Sequence, residues 1–251
     1  MRFLAALQFL TTIPVPLRRE ANATELGGST GYFPIVGLII GLILAGLNWL
    51  LSLILPPPLV NALLIVALVI LTGGMHLDGL SDTCDGLGGQ KTVEERWQVM
   101  HDSRSGSFGV VGVVLLLLVK YVSLSSLPPS LMMTALIFMP VVSRWAMVYA
   151  VFTYSYARPA GLGKIFKQGT RWYSFTAATA ITFAIAIALI PLFHLGGLLI
   201  ILCIWLITAV VATYLKSKFA GLTGDTYGAI NEVAEASVLI LFTLLTRLGL
   251  A

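Results

Sequence analysis

Charge is what this chain has least of. Only 10% of its 251 residues are Asp, Glu, Lys or Arg, against about 25% in ordinary soluble domains. With 58% hydrophobic residues and a mean hydropathy of +0.95, that shortage excludes a soluble globular domain and leaves a polytopic membrane protein. Cysteine is scarce too. Cys84 falls in a polar motif and Cys203 in an apolar run. There is no disulfide framework, which fits polar loops on a reducing side. No basic run is longer than Arg18 and Arg19, so the net charge of +4 builds no nucleic-acid patch. Internal repeats and low-complexity segments are missing as well. The size suits one integral membrane domain over residues 1–251.

What is present is apolar length. Runs at 33–55, 59–75, 107–127, 130–154, 173–193, 196–215 and 229–250 predict an all-α bundle of about seven transmembrane helices. The last is the weakest, because Glu232 and Glu235 fall in its first turns. Pro56 to Pro58, Pro128 with Pro129, and Gly196 with Gly197 separate the paired runs, and these connections carry no charge. All 11 acids fall in the other connections or at their edges, as do all basic residues except Lys120, Arg144 and Arg247. The excess of Lys and Arg makes that side cytoplasmic, with the N-terminus inside and the C-terminus outside. The loop over 158–172 reads as a turn-rich basic connection.

The N-terminus superficially resembles a signal peptide, with Arg2, the apolar residues 3–10, and Ala21 and Ala23. Pro14, Pro16, Arg18, Arg19 and Glu20 separate the apolar stretch from the small residues, and the stretch is short for a span. A helix lying in the membrane interface is the better expectation.

The most informative segment is 76–86, which follows directly on the second apolar run. It places Asp78, Asp82 and Asp85 at i, i+4 and i+7. A helix presents that spacing on one face. Capping explains one such acid, but not three in register. Mutually repelling acids at a bilayer edge are costly without a cation among them. Mg²⁺ is the simplest candidate, since it prefers carboxylate oxygens plus a substrate phosphate. Gly79 and Gly86 allow close approach to the backbone. His76 lies on the opposite face, where hydrogen bonding or packing competes with a ligand role.

Thr92 and Glu95 read as a capping box. Val93, Trp97 and Met100 then make an apolar stripe, which predicts an amphipathic helix on the membrane surface. It runs into Asp102, Ser103 and Arg104 beside a Ser/Gly-rich turn. That is either a diphosphate cradle or a solvated helix end. Further on, Asp225 or Thr226 is a candidate helix cap. Glu232 and Glu235 share one face as the chain enters apolar surroundings. Lys120 and Arg144 lie within apolar runs; they either balance carboxylates or hold a substrate phosphate, and Lys120 could instead snorkel. Trp145, Tyr149, Phe152, Tyr154 and Tyr156 read as an interfacial belt, with substrate stacking as the alternative.

At these residues the chain resembles the adenosylcobinamide-GDP ribazoletransferase family, also called cobalamin synthases. The resemblance covers nearly the whole length. It is carried by segments 9–16, 33–37, 73–80, 82–86, 100–104 and 224–229, and only their combination is specific. One departure is His101, where the family commonly has Arg. The resemblance implies an integral enzyme of a bacterial or archaeal cytoplasmic membrane, using Mg²⁺ and active on the cytoplasmic face. It would join adenosylcobinamide-GDP to α-ribazole or its 5′-phosphate, releasing GMP. Beyond these substrates, the partners it implies are membrane lipid and either a second copy or other cobalamin-assembly enzymes.

On that reading, Asp78, Asp82 and Asp85 hold the metal, and Asp82 or Asp85 takes the hydroxyl proton. Arg104 contacts the diphosphate as part of the catalytic set. His76, Asp102, Ser103, Lys120, Arg144, Asp225, Glu232 and Glu235 bind substrate, the last three as a second acidic wall that either binds metal or positions ribazole. A CDP-alcohol phosphotransferase is the nearest rival, but Thr83 and Cys84 stand where that family carries Ala-Arg. A cation-coupled transporter would place its ionisable residues near mid-membrane on broken helices, whereas the acids here fall on one side.

Overall fold

The computed structural model describes residues 1–15, 22–89, 91–102 and 104–250. Thirteen α-helices and one 3₁₀ turn follow in chain order. They are α1 (Arg2–Leu10), α2 (Ala23–Gly27), the 3₁₀ turn (Gly28–Tyr32), α3 (Phe33–Leu51), α4 (Pro57–Thr72), α5 (Met75–Leu87) and α6 (Val93–His101). Then come α7 (Ser107–Ser125), α8 (Pro129–Thr153), α9 (Leu162–Gly169), α10 (Trp172–Ala188), α11 (Ile190–Phe193), α12 (Gly196–Phe219) and α13 (Gly224–Arg247). The described residues contain no strand, only an isolated bridge between Tyr156 and Leu222. The expected all-α class therefore holds.

Each expected apolar run is helical, but the count of seven spans is not reached. Among the described residues, five helices are long and apolar enough to cross a membrane: α3 with the turns before it, α7, α8, α12 and α13. A sixth requires taking α4 and α5 as one span, and these meet at 91°. Gly73 and Gly74, both at positive φ, make that bend. α4 has 16 residues and α10 has 17. At about 1.5 Å per residue, both fall short of a hydrocarbon core of about 30 Å.

The central element is α8, buried along most of its length. α3 packs on it through Gly37 and Gly41, where any side chain would strike the backbone around Ile137 and Pro140. The outer helices show apolar side chains to the surroundings, such as Val111, Leu115 and Leu118 on α7 and Leu202, Leu206 and Val210 on α12. That pattern suits lipid rather than water as the solvent.

Both expected amphipathic helices form, and each packs one face on the bundle. α1 buries Ala5, Ala6 and Leu10. α6 starts with the expected capping box: the Glu95 amide donates to Thr92 Oγ1 at 3.3 Å, and the Thr92 amide to Glu95 Oε2 at 2.7 Å. Its buried residues are Met100 and Arg96, and Arg96 donates to the Gly86 carbonyl at 2.6 Å. α6 therefore clamps the end of α5. The loop expected over 158–172 contains α9, which buries Phe166.

Candidate active site

A cavity of about 760 Å³ opens at one end of the bundle. Its wall comes from α1, the start of α5, α6, the end of α8, residues 156–163, α9 and the start of α13. The lining is mostly apolar and aromatic. Phe9, Phe33 and Phe166 cluster on one side, with Phe9 and Phe166 centred 4.5 Å apart. Trp97 and Tyr227 also line it, and Tyr156 stacks on Tyr227 at 6.4 Å. His76, Asp78, Glu94, His101, Arg158 and Asp225 provide the ionisable groups.

The acidic wall is assembled by two glycines. At Gly79, an added Cβ would lie 2.7 Å from the Asp225 carbonyl oxygen. At Gly228 it would lie 3.2 Å from the Cα of His76. α5 and α13 thus touch backbone to backbone, which brings Asp78 beside Asp225. The N-cap of α13 is Thr223, paired reciprocally with Thr226. Asp225, one of the two expected caps, is thereby left free to face Arg158, 3.1 Å away.

Asp82, one turn beyond Asp78, is pushed up to about 7. Partial burial is the largest cause, followed by the charges of Asp78, Asp225 and Asp85. Asp85 is committed elsewhere. Its Oδ2 accepts from the Gly106 amide at 2.7 Å and its Oδ1 from the Gly109 amide at 2.8 Å. It caps the N-terminus of α7, where the helix dipole favours a negative charge.

Among the described residues, no three His, Cys, Asp or Glu side chains stand close enough together to hold a metal ion. Mg²⁺ needs no such cage, because it commonly takes one or two carboxylates and completes its shell with water and substrate phosphate. The hard oxygens of Asp78, Asp82 and Asp225, and the upward shift of Asp82, fit a divalent cation. Asp85, with both oxygens spent on amides, fits it less well.

The structure separates the other candidates. Glu232 and Glu235 are buried away from the cavity. Lys120 donates to them at 2.6 and 2.5 Å, and Arg144 reaches Glu235 from α8. Of the roles open to Lys120 and Arg144, balancing carboxylates is the one observed. Asn231 joins this network to the cavity. Its amide nitrogen donates to His76 Nδ1 and to Glu235 Oε1, each at 3.2 Å. The His76 proton therefore sits on Nε2, a buried atom with no partner among the described residues.

Arg104 forms a local pair with Asp102 at 2.7 Å, with 88% of its side chain exposed, and Arg104 holds the Asp102 carboxyl well below the usual range. Neither lines the cavity. Ser103 lies outside the described residues. Sequence reasoning missed Arg158, which it counted only as loop charge, and Asn231. It read Trp97 only as part of an apolar stripe, and it left Tyr156 between a belt and substrate stacking; both line the cavity. The one local signal for Arg158 was its position between an aromatic and a proline, which is weak.

Residues 2–243 match the family described as cobalamin-5-phosphate synthase. The chain belongs to that family. Among curated relatives, the adenosylcobinamide-GDP ribazoletransferase of Roseiflexus sp. is 37% identical over 95% of this chain and 88% of its own. The protein of the same name from Geotalea daltonii is 39% identical over 96% of both. That from Synechococcus elongatus is 40% identical over 96% of this chain and 95% of its own. No solved structure matches the chain.

Proposed function

We propose that the protein is an adenosylcobinamide-GDP ribazoletransferase, joining adenosylcobinamide-GDP to α-ribazole or α-ribazole 5′-phosphate and releasing GMP. The observation that carries this reading is the cavity itself, aromatic on one side and faced by Asp78 and Asp225 on the other. Its setting within a chain related throughout to enzymes of that name supports the same conclusion. The ribazole 3′-hydroxyl attacks the phosphorus nearer cobinamide in line, and GMP departs.

One or two of the carboxylates of Asp78, Asp82 and Asp225 would hold Mg²⁺, which when bound would clamp the diphosphate and neutralise developing charge. The chain's own residues do the rest. Asp82, poised near neutrality, is the stronger candidate to take the hydroxyl proton, because the oxygens of Asp85 already accept from amides. The aromatic side chains exclude water and orient the flat bases by stacking. Asp85 ties the end of α5 to the N-terminus of α7, and the buried Lys120–Glu232–Glu235–Arg144 network braces α13 behind the site.

The site faces the cytoplasm of a bacterial or archaeal cell, because the basic connections gather at this end. The CDP-alcohol phosphotransferase alternative stays weaker, for Thr83 and Cys84 remain where that family differs. Purified protein supplied with adenosylcobinamide-GDP, α-ribazole and Mg²⁺ should release GMP in step with cobalamin formation. Failure to release GMP with either acceptor form would overturn the reading.

A further inference from the structure

The only arginine or lysine in the cavity wall, among the described residues, is Arg158. Its position is set by backbone. The Ala157 amide donates to the Leu222 carbonyl at 2.8 Å, and the Leu222 amide to the Ser155 carbonyl at 2.8 Å. This short pairing ties the segment before Arg158 to the segment before α13. Gly221, at φ +146, lets the two segments approach; a Cβ there would come within 2.9 Å of the Ala157 nitrogen. The guanidinium is thereby delivered to the mouth of α13 with little freedom to lose on binding.

Its bonding is incomplete. The Arg158 side chain is 14% exposed and its Nη2 stands 3.1 Å from Asp225 Oδ2. Neither Nε nor Nη2 makes a properly angled hydrogen bond among the described residues, and the facing Oδ2 makes none either. A shielded guanidinium with an unmet edge is costly. Two donors on one planar edge match two oxygens of a phosphate. The same cavity is lined by Asp78, Asp225 and Glu94, so an anionic group is admitted only beside a cation of the protein or one it brings. Arg104 has no comparable claim: it spends Nε and Nη2 on Asp102 in solvent.

We infer that Arg158, rather than Arg104, is the arginine that grips a substrate phosphate in this cavity. The inference rests on the ribazoletransferase reading for the identity of its substrates. Two sources offer the same chemistry, the 5′-phosphate of the ribazole acceptor and the diphosphate of adenosylcobinamide-GDP.

The test uses the full-length protein in detergent. KM and kcat are measured for adenosylcobinamide-GDP, α-ribazole and α-ribazole 5′-phosphate, in wild type, Arg158→Gln, Arg158→Lys and Arg104→Gln. Removing the fork should raise one phosphate-dependent KM about 10- to 100-fold, with Lys recovering part of the loss. A rise for α-ribazole 5′-phosphate alone assigns the acceptor phosphate. A rise for adenosylcobinamide-GDP with either acceptor assigns the diphosphate. Unchanged kinetics in an Arg158→Gln protein that melts like wild type overturns the inference, as does the loss appearing in Arg104→Gln instead.

Calorimetry with inorganic pyrophosphate gives a readout independent of turnover. Weaker binding to the Arg158 variants supports the assignment, and equal binding overturns it. If Arg158→Gln does not fold, Arg158→Lys is read on the same terms. A wild type that turns over neither acceptor strikes the ribazoletransferase reading and leaves calorimetry to decide Arg158.

Discussion

Lys120 of α7 donates to Glu235 of α13 at 2.5 Å, and the two stand 115 positions apart in the chain. The same ammonium reaches Glu232 at 2.6 Å, and Arg144 closes the set from α8. Two cations and two anions thus lock three helices where water is excluded. Removing one partner from a buried pair leaves an uncompensated charge and costs about 3–5 kcal/mol. Lys120→Met should therefore lower stability by that order, read as unfolding in detergent–denaturant mixtures. Lys120→Met combined with Glu232→Gln should recover a large part of the loss, because the charge count balances again. Additive losses in that double-mutant cycle would show that the contact carries no coupling.

Asp85 accepts amide hydrogens from Gly106 and Gly109 at the start of α7. An asparagine there presents one acceptor oxygen instead of two and loses the charge that answers the helix dipole. Asp85→Asn is expected to cost about 1–2 kcal/mol of stability, with turnover falling only as far as the contact between α5 and α7 loosens. A stable but wholly inactive Asp85→Asn protein would return Asp85 to the metal site.

Asp82 should behave in the opposite way. Its folded-state value is raised from 3.8 to about 7. Between those values the folded chain binds more protons than the unfolded chain, so without divalent cation stability falls as pH rises through this window. Asp82→Asn should accordingly match or exceed the wild-type melting temperature at pH 8, and the two should converge below about pH 4. Turnover should drop by roughly a thousandfold or more, as expected for losing a carboxylate that supports phosphoryl transfer. Near-normal turnover in the correctly inserted variant would remove Asp82 from the mechanism.

How much of this was legible in the sequence depends on the range of the interaction. The shared face of Asp78, Asp82 and Asp85 follows from helical period alone, and so does the capping box of Thr92 and Glu95. The docking of α13 beside α5 was foreseeable from charge, since two acid-bearing segments on one side invite a common site. That Asp225 joins the cavity while Glu232 and Glu235 do not depends on Lys120, 112 positions from Glu232. No local pattern encodes that pairing. The capping of α7 by Asp85 needs a chain reversal that spacing cannot reveal. Arg158 was invisible for a related reason: its role comes from the bridge between Tyr156 and Leu222, two segments with no recognisable strand pattern.

Gly79 sits where α5 and α13 touch. An alanine Cβ would meet the Asp225 carbonyl oxygen at 2.7 Å and its Cα at 3.0 Å, and backbone cannot step aside as a side chain does. Gly79→Ala should cost about 1–3 kcal/mol through forced separation of the helices. Because the separation moves Asp78 away from Asp225, kcat should fall more than the stability loss explains. Gly46, with nothing within 4 Å of its added Cβ, is the matched control. Equal behaviour of Gly79→Ala and Gly46→Ala would mean that the helices are not in backbone contact.

The cavity also bears on topology. Its wall draws on α5, α6, residues 156–163, α9 and the start of α13, so the charged connections meet at one end of the bundle. The topology expected from the charge pattern puts the charge-free breaks at 56–58, 128–129 and 194–197 at the other end. With the basic end inside, cysteines replacing Pro57, Pro128 or Leu195 in otherwise cysteine-free protein should react with an impermeant thiol reagent added to intact cells. A cysteine replacing Lys167 should react only after lysis. Leu195 is the decisive position, because α10 has 17 residues and is short for a full crossing. If α10 crosses by tilting little and thinning the bilayer locally, residue 195 labels from outside. If it turns back, residue 195 stays protected, and the chain has fewer crossings than the charge pattern requires. Labelling of residue 167 in intact cells would invert the whole arrangement and place the cavity on the outer face.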